Sequence, residues 1–125
     1  MAALNPQLLA IGRVLLALIF IMAGANKIAG YAATQQFMES AGLPGMLLPL
    51  VIATELGGGL AILAGFMIRW AALVLAGFTL LSALVFHFDF GDQAQSISFM
   101  KNLAIAGGLM ALAAAGPGAF SLGES

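Results

Sequence analysis

The residues best suited to chemistry in this chain are a few polar side chains set within long apolar stretches. Glu55 lies deep within one stretch, Arg13 and Lys27 lie in another, and Lys101 and Asn102 are adjacent in a third. An ionisable group near the centre of a bilayer costs at least about 2.5–3.5 kcal/mol, so each should face protein and a partner. A buried carboxylate beneath hydrogen-bond donors can pass a proton to a bound molecule. We therefore predict that Glu55 is a proton relay in a site inside the protein.

Four side chains are predicted to bind a ligand above Glu55, because they lie at the same end of their apolar stretches: Lys27, His87, Lys101 and Asn102. For the lysines, the alternative is that a long basic side chain reaches the membrane interface and has no other role. For His87, the alternative is an aromatic side chain at that interface. A single histidine without a second His or Cys is a poor metal site, so no metal is predicted.

The state of Glu55 has two open interpretations, a protonated carboxyl group and a carboxylate that pairs with a cation. Arg13 and Lys27 lie about four helical turns apart, within about 40° of one another around a helix axis. Their shared face is predicted to look inward. We expect Glu55 to pair with a basic residue of this first helix, and we assign three residues to structural ion pairs: Arg13, Glu55 and Arg69.

The composition is typical of an integral membrane protein. Hydrophobic residues make up 62% of the 125 positions and charged residues 7%, and the mean hydropathy is +1.10, which does not fit a soluble domain. A formal net charge of −1 leaves no basic patch and excludes nucleic-acid binding. The chain has no cysteine, so we predict no disulfide, thiolate metal site or thiol cofactor, and we find no haem-attachment motif. Any redox chemistry would therefore use a bound cofactor.

Four apolar stretches are long enough to cross a hydrocarbon core of about 30 Å as helices. They lie at about 8–28, 46–66, 70–88 and 99–115. Between the first two, residues 31–42 have the pattern of a short interfacial helix. The predicted fold is all-α: residues 1–125 form a single transmembrane domain, an integral membrane four-helix bundle with that short helix at one end.

Small residues recur every four positions along two of the spans. Such stripes let a second helix approach closely. We expect them to pack within the bundle, and a homodimer interface is the alternative. The stripes are Ala53, Gly57, Ala61 and Gly65 in the second span and Gly107, Ala111 and Ala115 in the fourth.

The charged residues indicate an orientation in the membrane. Arg13 and Arg69 lie on the side of both termini, and Lys27 and Lys101 lie on the opposite side, which also carries most of the acidic residues. Positive-inside reasoning then places both termini in the cytoplasm. The first span is expected to stay uncleaved, because no Lys or Arg precedes it and Arg13 interrupts it.

Residues spread over nearly the whole chain form a pattern that resembles one known family. They are Arg13, Gly24 and Lys27, then residues 37–44, Glu55 to Gly59, Gly65 and Arg69, and finally Lys101-Asn102-Leu103 followed by Gly107-Gly108. The pattern is similar to that of the DoxX family. The resemblance implies a four-helix protein of the bacterial or archaeal cell (inner) membrane. The family is commonly labelled as oxidoreductases through a relation to the small subunit of a thiosulfate:quinone oxidoreductase.

Two classes of function follow from the resemblance together with the polar residues. In the first, the chain is a quinone-linked redox subunit of a membrane assembly; it binds the small amphipathic quinone inside the bundle and works with a redox partner protein. In the second, it is a nonredox membrane protein that binds or transports a small molecule or scaffolds a partner complex. The sequence does not by itself establish an enzyme, and the resemblance transfers no catalytic assignment.

Overall fold

The computed structural model describes residues 5–86 and 91–118, and within these ranges the chain is helical without any strand. Four long helices alternate in direction and one short helix follows the first. Each long helix is long and apolar enough to cross a membrane, so the predicted four-helix membrane bundle is confirmed. The helices are α1 (Asn5–Ala29), α2 (Tyr31–Ser40), α3 (Leu48–Ala64, preceded by a 3₁₀ turn at Gly45–Leu47), α4 (Ile68–Phe86) and α5 (Gln93–Ala115).

The helix bounds follow local capping signals. Helix α5 begins six residues before the predicted span because Asp92 caps it. The Asp92 carboxylate accepts hydrogen bonds from the backbone N–H groups of Ala94 at 2.9 Å and Gln95 at 3.5 Å, a pattern that satisfies donors at a helix start. Helix α3 ends at Ala64 and is capped by Gly65, whose φ of 72° is accessible to glycine at little cost. The predicted end of the third span at residue 88 lies outside the described residues.

The bundle is built from two closely packed antiparallel pairs, α1 with α3 and α4 with α5. The turn at residues 65–67 connects the pairs, so α3 also packs against α4. Side chains from all four long helices fill the shared core, including Ala17, Ile62, Leu75 and Leu109. The predicted inward face of α1 is confirmed, since its buried residues include Arg13, Phe20 and Gly24.

The close helix contacts use different glycines from the predicted stripes. A Cβ atom on Gly59 would lie 3.0 Å from Cγ1 of Ile21 on α1, and a Cβ on Gly58 would lie 2.9 Å from Leu75 on α4. A Cβ on Gly57 or Gly107 would meet no heavy atom within 4 Å. The prediction that the two stripes pack within the bundle is therefore wrong at these positions, which lie on outer faces of α3 and α5.

Arg13 connects helix ends at the side of the bundle where the described chain begins and ends. Its side chain is 2% exposed. Its Nη1 donates to the carbonyl oxygen of Pro117 at 2.7 Å, and its Nη2 donates to that of Leu63 at 3.3 Å. These carbonyls lie at or beyond the carboxyl ends of α5 and α3, where the partial negative charge of a helix favours a cation. Arg13 of α1 thus links the carboxyl-terminal ends of α3 and α5 to α1.

Candidate ligand site

An ion pair between α1 and α3 is the centre of the candidate site. Nζ of Lys27 lies 2.8 Å from Oε1 of Glu55, and the exposed fractions of the two side chains are 28% and 6%. The pair forms where α1 and α3 pack closely, because Gly24 lies one turn before Lys27 and faces Leu56. A Cβ on Gly24 would lie 2.6 Å from Cγ of Leu56. Glycine at this position therefore brings the ammonium group within reach of the carboxylate.

A cavity of about 750 Å³ lies beside this ion pair. Its volume is within the range of sites that hold small organic molecules. The lining comes from all five helices, including Phe37 and Met38 of α2, which cover the cavity at the end where α1 and α3 are joined. Helix α2 is held in place by a hydrogen bond from Nε2 of Gln35 to the carbonyl oxygen of Gly45, at 3.3 Å.

Most of the cavity wall is apolar, and the polar exceptions come from every helix. Apolar members such as Ile19, Leu50 and Leu81 are also exposed on the outside of the bundle, where the lipid chains would lie. The apolar part of the cavity is therefore continuous with the lipid-facing surface. The polar residues in the lining are Asn26, Lys27, Thr34, Thr54, Glu55, Thr79, Ser82 and Asn102.

Asn102 and Thr79 form a second polar position, on the α4–α5 side of the cavity. Nδ2 of Asn102 donates to the carbonyl oxygen of Thr79 at 3.2 Å, and this bond joins the two helices. The Thr79 side chain is 4% exposed, and its hydroxyl donates to the carbonyl oxygen of Leu75 at 2.7 Å. The cavity thus has an ion pair on one wall and a hydrogen-bonded amide on another.

Comparison with known proteins identifies the family. The family model for DoxX matches residues 8–88, which is more than half of the chain. The chain belongs to the DoxX family. Two curated relatives extend the match to α5: the inner membrane protein YqjF of Escherichia coli K12 is 56% identical over 90% of this chain and 86% of its own length. The inner membrane protein YphA of the same organism is 39% identical over 96% of this chain and 91% of its own length. No solved structure matches the chain.

Among the residues predicted to bind a ligand, Lys27 and Asn102 line the cavity of this DoxX-family protein. Glu55, the predicted proton relay, lines it as well and contacts Lys27. Lys101 is exposed and outside the lining. The physical reason is that adjacent helical residues point about 100° apart, so Asn102 and Lys101 cannot both face inward. His87 lies outside the described residues.

The predicted ion-pair residues lie in three separate places. Glu55 pairs with Lys27, at the α2 end of the bundle. In the antiparallel α1–α3 pair, Arg13 is level with Leu63 instead and lies about 21 Å along α1 from Lys27, so it does not reach Glu55. Arg69 is exposed, and its guanidinium carbon lies 5.8 Å from the centroid of the Trp70 ring, a cation–π contact.

Sequence reasoning missed the contribution of the threonines to the site, Thr54 above all. All three threonines of the chain, at positions 34, 54 and 79, line the cavity. The available signal was their scarcity, because a hydroxyl group within an apolar span is unfavourable unless it faces protein or water.

Proposed function

We propose that this DoxX-family protein is a quinone-linked redox subunit of a membrane assembly and that the cavity binds the head group of the quinone. The observation that carries the proposal is the Lys27–Glu55 ion pair at the wall of a largely apolar cavity of about 750 Å³. A quinone fits this combination, because its head group has carbonyl oxygens that accept hydrogen bonds and its isoprenoid tail is apolar.

Each element of the cavity has a defined part in this proposal. Lys27 has three N–H donors, and those not used by Glu55 can donate to a carbonyl oxygen of the head group. The quinone, when bound, supplies the capacity to take up and release electrons and protons, and a partner protein supplies or receives the electrons. Glu55 lies 2.8 Å from Lys27 and can hold a proton beside the head group. Ile19, Leu50 and Leu81 would offer the apolar tail a path from the cavity to the lipid.

We predict that Lys27→Gln lowers the amount of quinone that copurifies with the protein in mild detergent by at least about tenfold, because the principal charged donor of the cavity is lost. Lys101→Gln is the matched control, since it makes the same chemical change at an exposed residue outside the lining. The bound lipid is extracted with organic solvent and quantified by mass spectrometry, with folding checked by size-exclusion chromatography.

The two classes of function give different results in this experiment. Quinone in the parent protein, together with quinone-dependent electron transfer in the isolated membrane, supports the redox subunit. An amphiphile of another class in place of quinone would contradict the redox proposal and favour the nonredox binding or transport function. Equal loss of quinone in both lysine variants would show that the cavity is not the quinone site.

We also propose that both termini face the cytoplasm of a bacterial cell. A cysteine at Gln36, on the exposed side of α2, should then be labelled by a membrane-impermeant thiol reagent in cells with a permeabilised outer membrane. A cysteine at Asn5 should stay unlabelled until the inner membrane is opened. The native chain has no cysteine, so each signal reports one site, and the reverse labelling pattern would invert the orientation.

A further inference from the structure

The three threonines of the chain line the cavity from three different helices. Thr34 is on α2, Thr54 on α3 and Thr79 on α4, and each lines the cavity. The chain contains no other threonine. Their convergence at one cavity means that their hydrogen-bonding state contributes to the choice of ligand.

Each of these hydroxyl groups has already donated its hydrogen. Oγ1 of Thr34 donates to the carbonyl oxygen of Gly30 at 2.9 Å, and Oγ1 of Thr54 donates to that of Leu50 at 2.9 Å. Oγ1 of Thr79 donates to Leu75 at 2.7 Å. A hydroxyl group has one hydrogen and two lone pairs. The three oxygens can therefore only accept hydrogen bonds from a molecule in the cavity.

The remaining polar residues strengthen this bias toward acceptors. The Glu55 carboxylate only accepts, whereas Lys27 only donates and has already directed one donor at Glu55. Asn26, Ser82 and Asn102 each carry donor and acceptor groups, so they do not discriminate between ligands. The cavity thus has four residues that only accept and one that only donates.

We infer that the cavity prefers the hydroquinone form of the ligand, whose phenolic O–H groups donate hydrogen bonds, over the quinone form, whose oxygens only accept. The inference rests on the proposed function, since it assumes that this cavity holds the head group. A quinone can accept a hydrogen bond from Lys27 but gives the threonine oxygens no donor, and acceptors left without a donor in an apolar site are unfavourable. A phenolic O–H group fills that need, and its oxygen still accepts from Lys27.

The test compares three probes with the same ten-carbon tail: an alkylhydroquinone, the matching alkylbenzoquinone, and the dimethyl ether of the hydroquinone, which cannot donate. Binding to the detergent-purified protein is measured by equilibrium dialysis under argon. We expect the hydroquinone to bind at least about tenfold more tightly than either other probe.

Thr79→Val removes one acceptor with little change in shape and should lower the hydroquinone-to-quinone affinity ratio about three- to tenfold. Thr54→Val should do the same at a less buried position.

The outcomes separate this inference from the proposal on which it rests. Equal or tighter binding of the quinone, or tight binding of the dimethyl ether, would overturn the preference for a donor while leaving the cavity as the quinone site. An unchanged affinity ratio in both correctly folded valine variants would overturn the role of the threonines. Failure of all three probes to bind would overturn the proposed function and the inference together.

Discussion

Glu55→Gln is expected to lower the apparent melting temperature of the purified protein in detergent by roughly 10 °C. The substitution keeps the shape of the side chain and removes the charge that Lys27 faces at 2.8 Å. Loss of one partner from a buried ion pair costs about 3–5 kcal/mol, and the lower end applies because the Lys27 side chain is 28% exposed. Thermal unfolding is followed by circular dichroism of the helices.

The matched control is Glu39→Gln, which makes the same change on the exposed face of α2 and should leave the melting temperature within about 2 °C of the parent. The double variant Lys27→Gln/Glu55→Gln should recover part of the loss, because it leaves no unpaired charge between α1 and α3. If Glu55→Gln is as stable as the parent, the pair contributes nothing to folding and the assigned role of Glu55 as a paired anion is wrong.

The same substitution also tests the proton relay. A neutral amide cannot take up and release a proton in the way a carboxylate does, so Glu55→Gln should abolish any proton-coupled electron transfer by the assembly even at temperatures where the variant is folded. Retained activity would contradict the relay and leave Glu55 with the structural role alone. The two measurements therefore separate what the carboxylate does for folding from what it does for chemistry.

The features that were predictable from the sequence are those whose alternatives carry a large free-energy cost in the membrane. Backbone groups must be hydrogen-bonded within lipid, and this requirement predicts the four long helices, although α5 begins six residues before its predicted span. Charged groups must face protein, and this requirement fixes the inward face of α1 from the spacing of Arg13 and Lys27. The pairing of Glu55 with a basic residue of α1 follows from the same cost.

The rotation of α5 was not predictable, because a lipid chain is as apolar as the protein core. On α5 the inward residues are Ala106, Leu109 and Leu112, whereas Lys101 and Gly107 face outward. Hydrophobicity does not distinguish these faces, so an error of about 100° placed Lys101 in the site beside Asn102.

The choice of Lys27 over Arg13 as the partner of Glu55 likewise depends on how α1 and α3 align, which is set by contacts such as Gly24 with Leu56.

Gly59→Leu is expected to destabilise the bundle by about 3 kcal/mol, whereas Gly57→Leu should be neutral or slightly stabilising. A Cβ on Gly59 would lie 3.2 Å from the backbone nitrogen of Ile21 and 3.2 Å from Cβ of Phe20. Neither atom can move without displacing α1, so a longer side chain forces the α1–α3 pair apart. A Cβ on Gly57 meets nothing within 4 Å, and leucine has a higher helix propensity than glycine.

These two glycines provide a matched comparison, because they lie two residues apart on α3 and receive the same substitution. We expect Gly59→Leu to lose the Lys27–Glu55 contact as well as stability, so its melting temperature should no longer respond to Glu55→Gln. Equal stability of the two variants would contradict the α1–α3 contact described above. A loss of stability in Gly57→Leu accompanied by a smaller particle in light scattering would show that the outer face of α3 packs against a second copy of the chain.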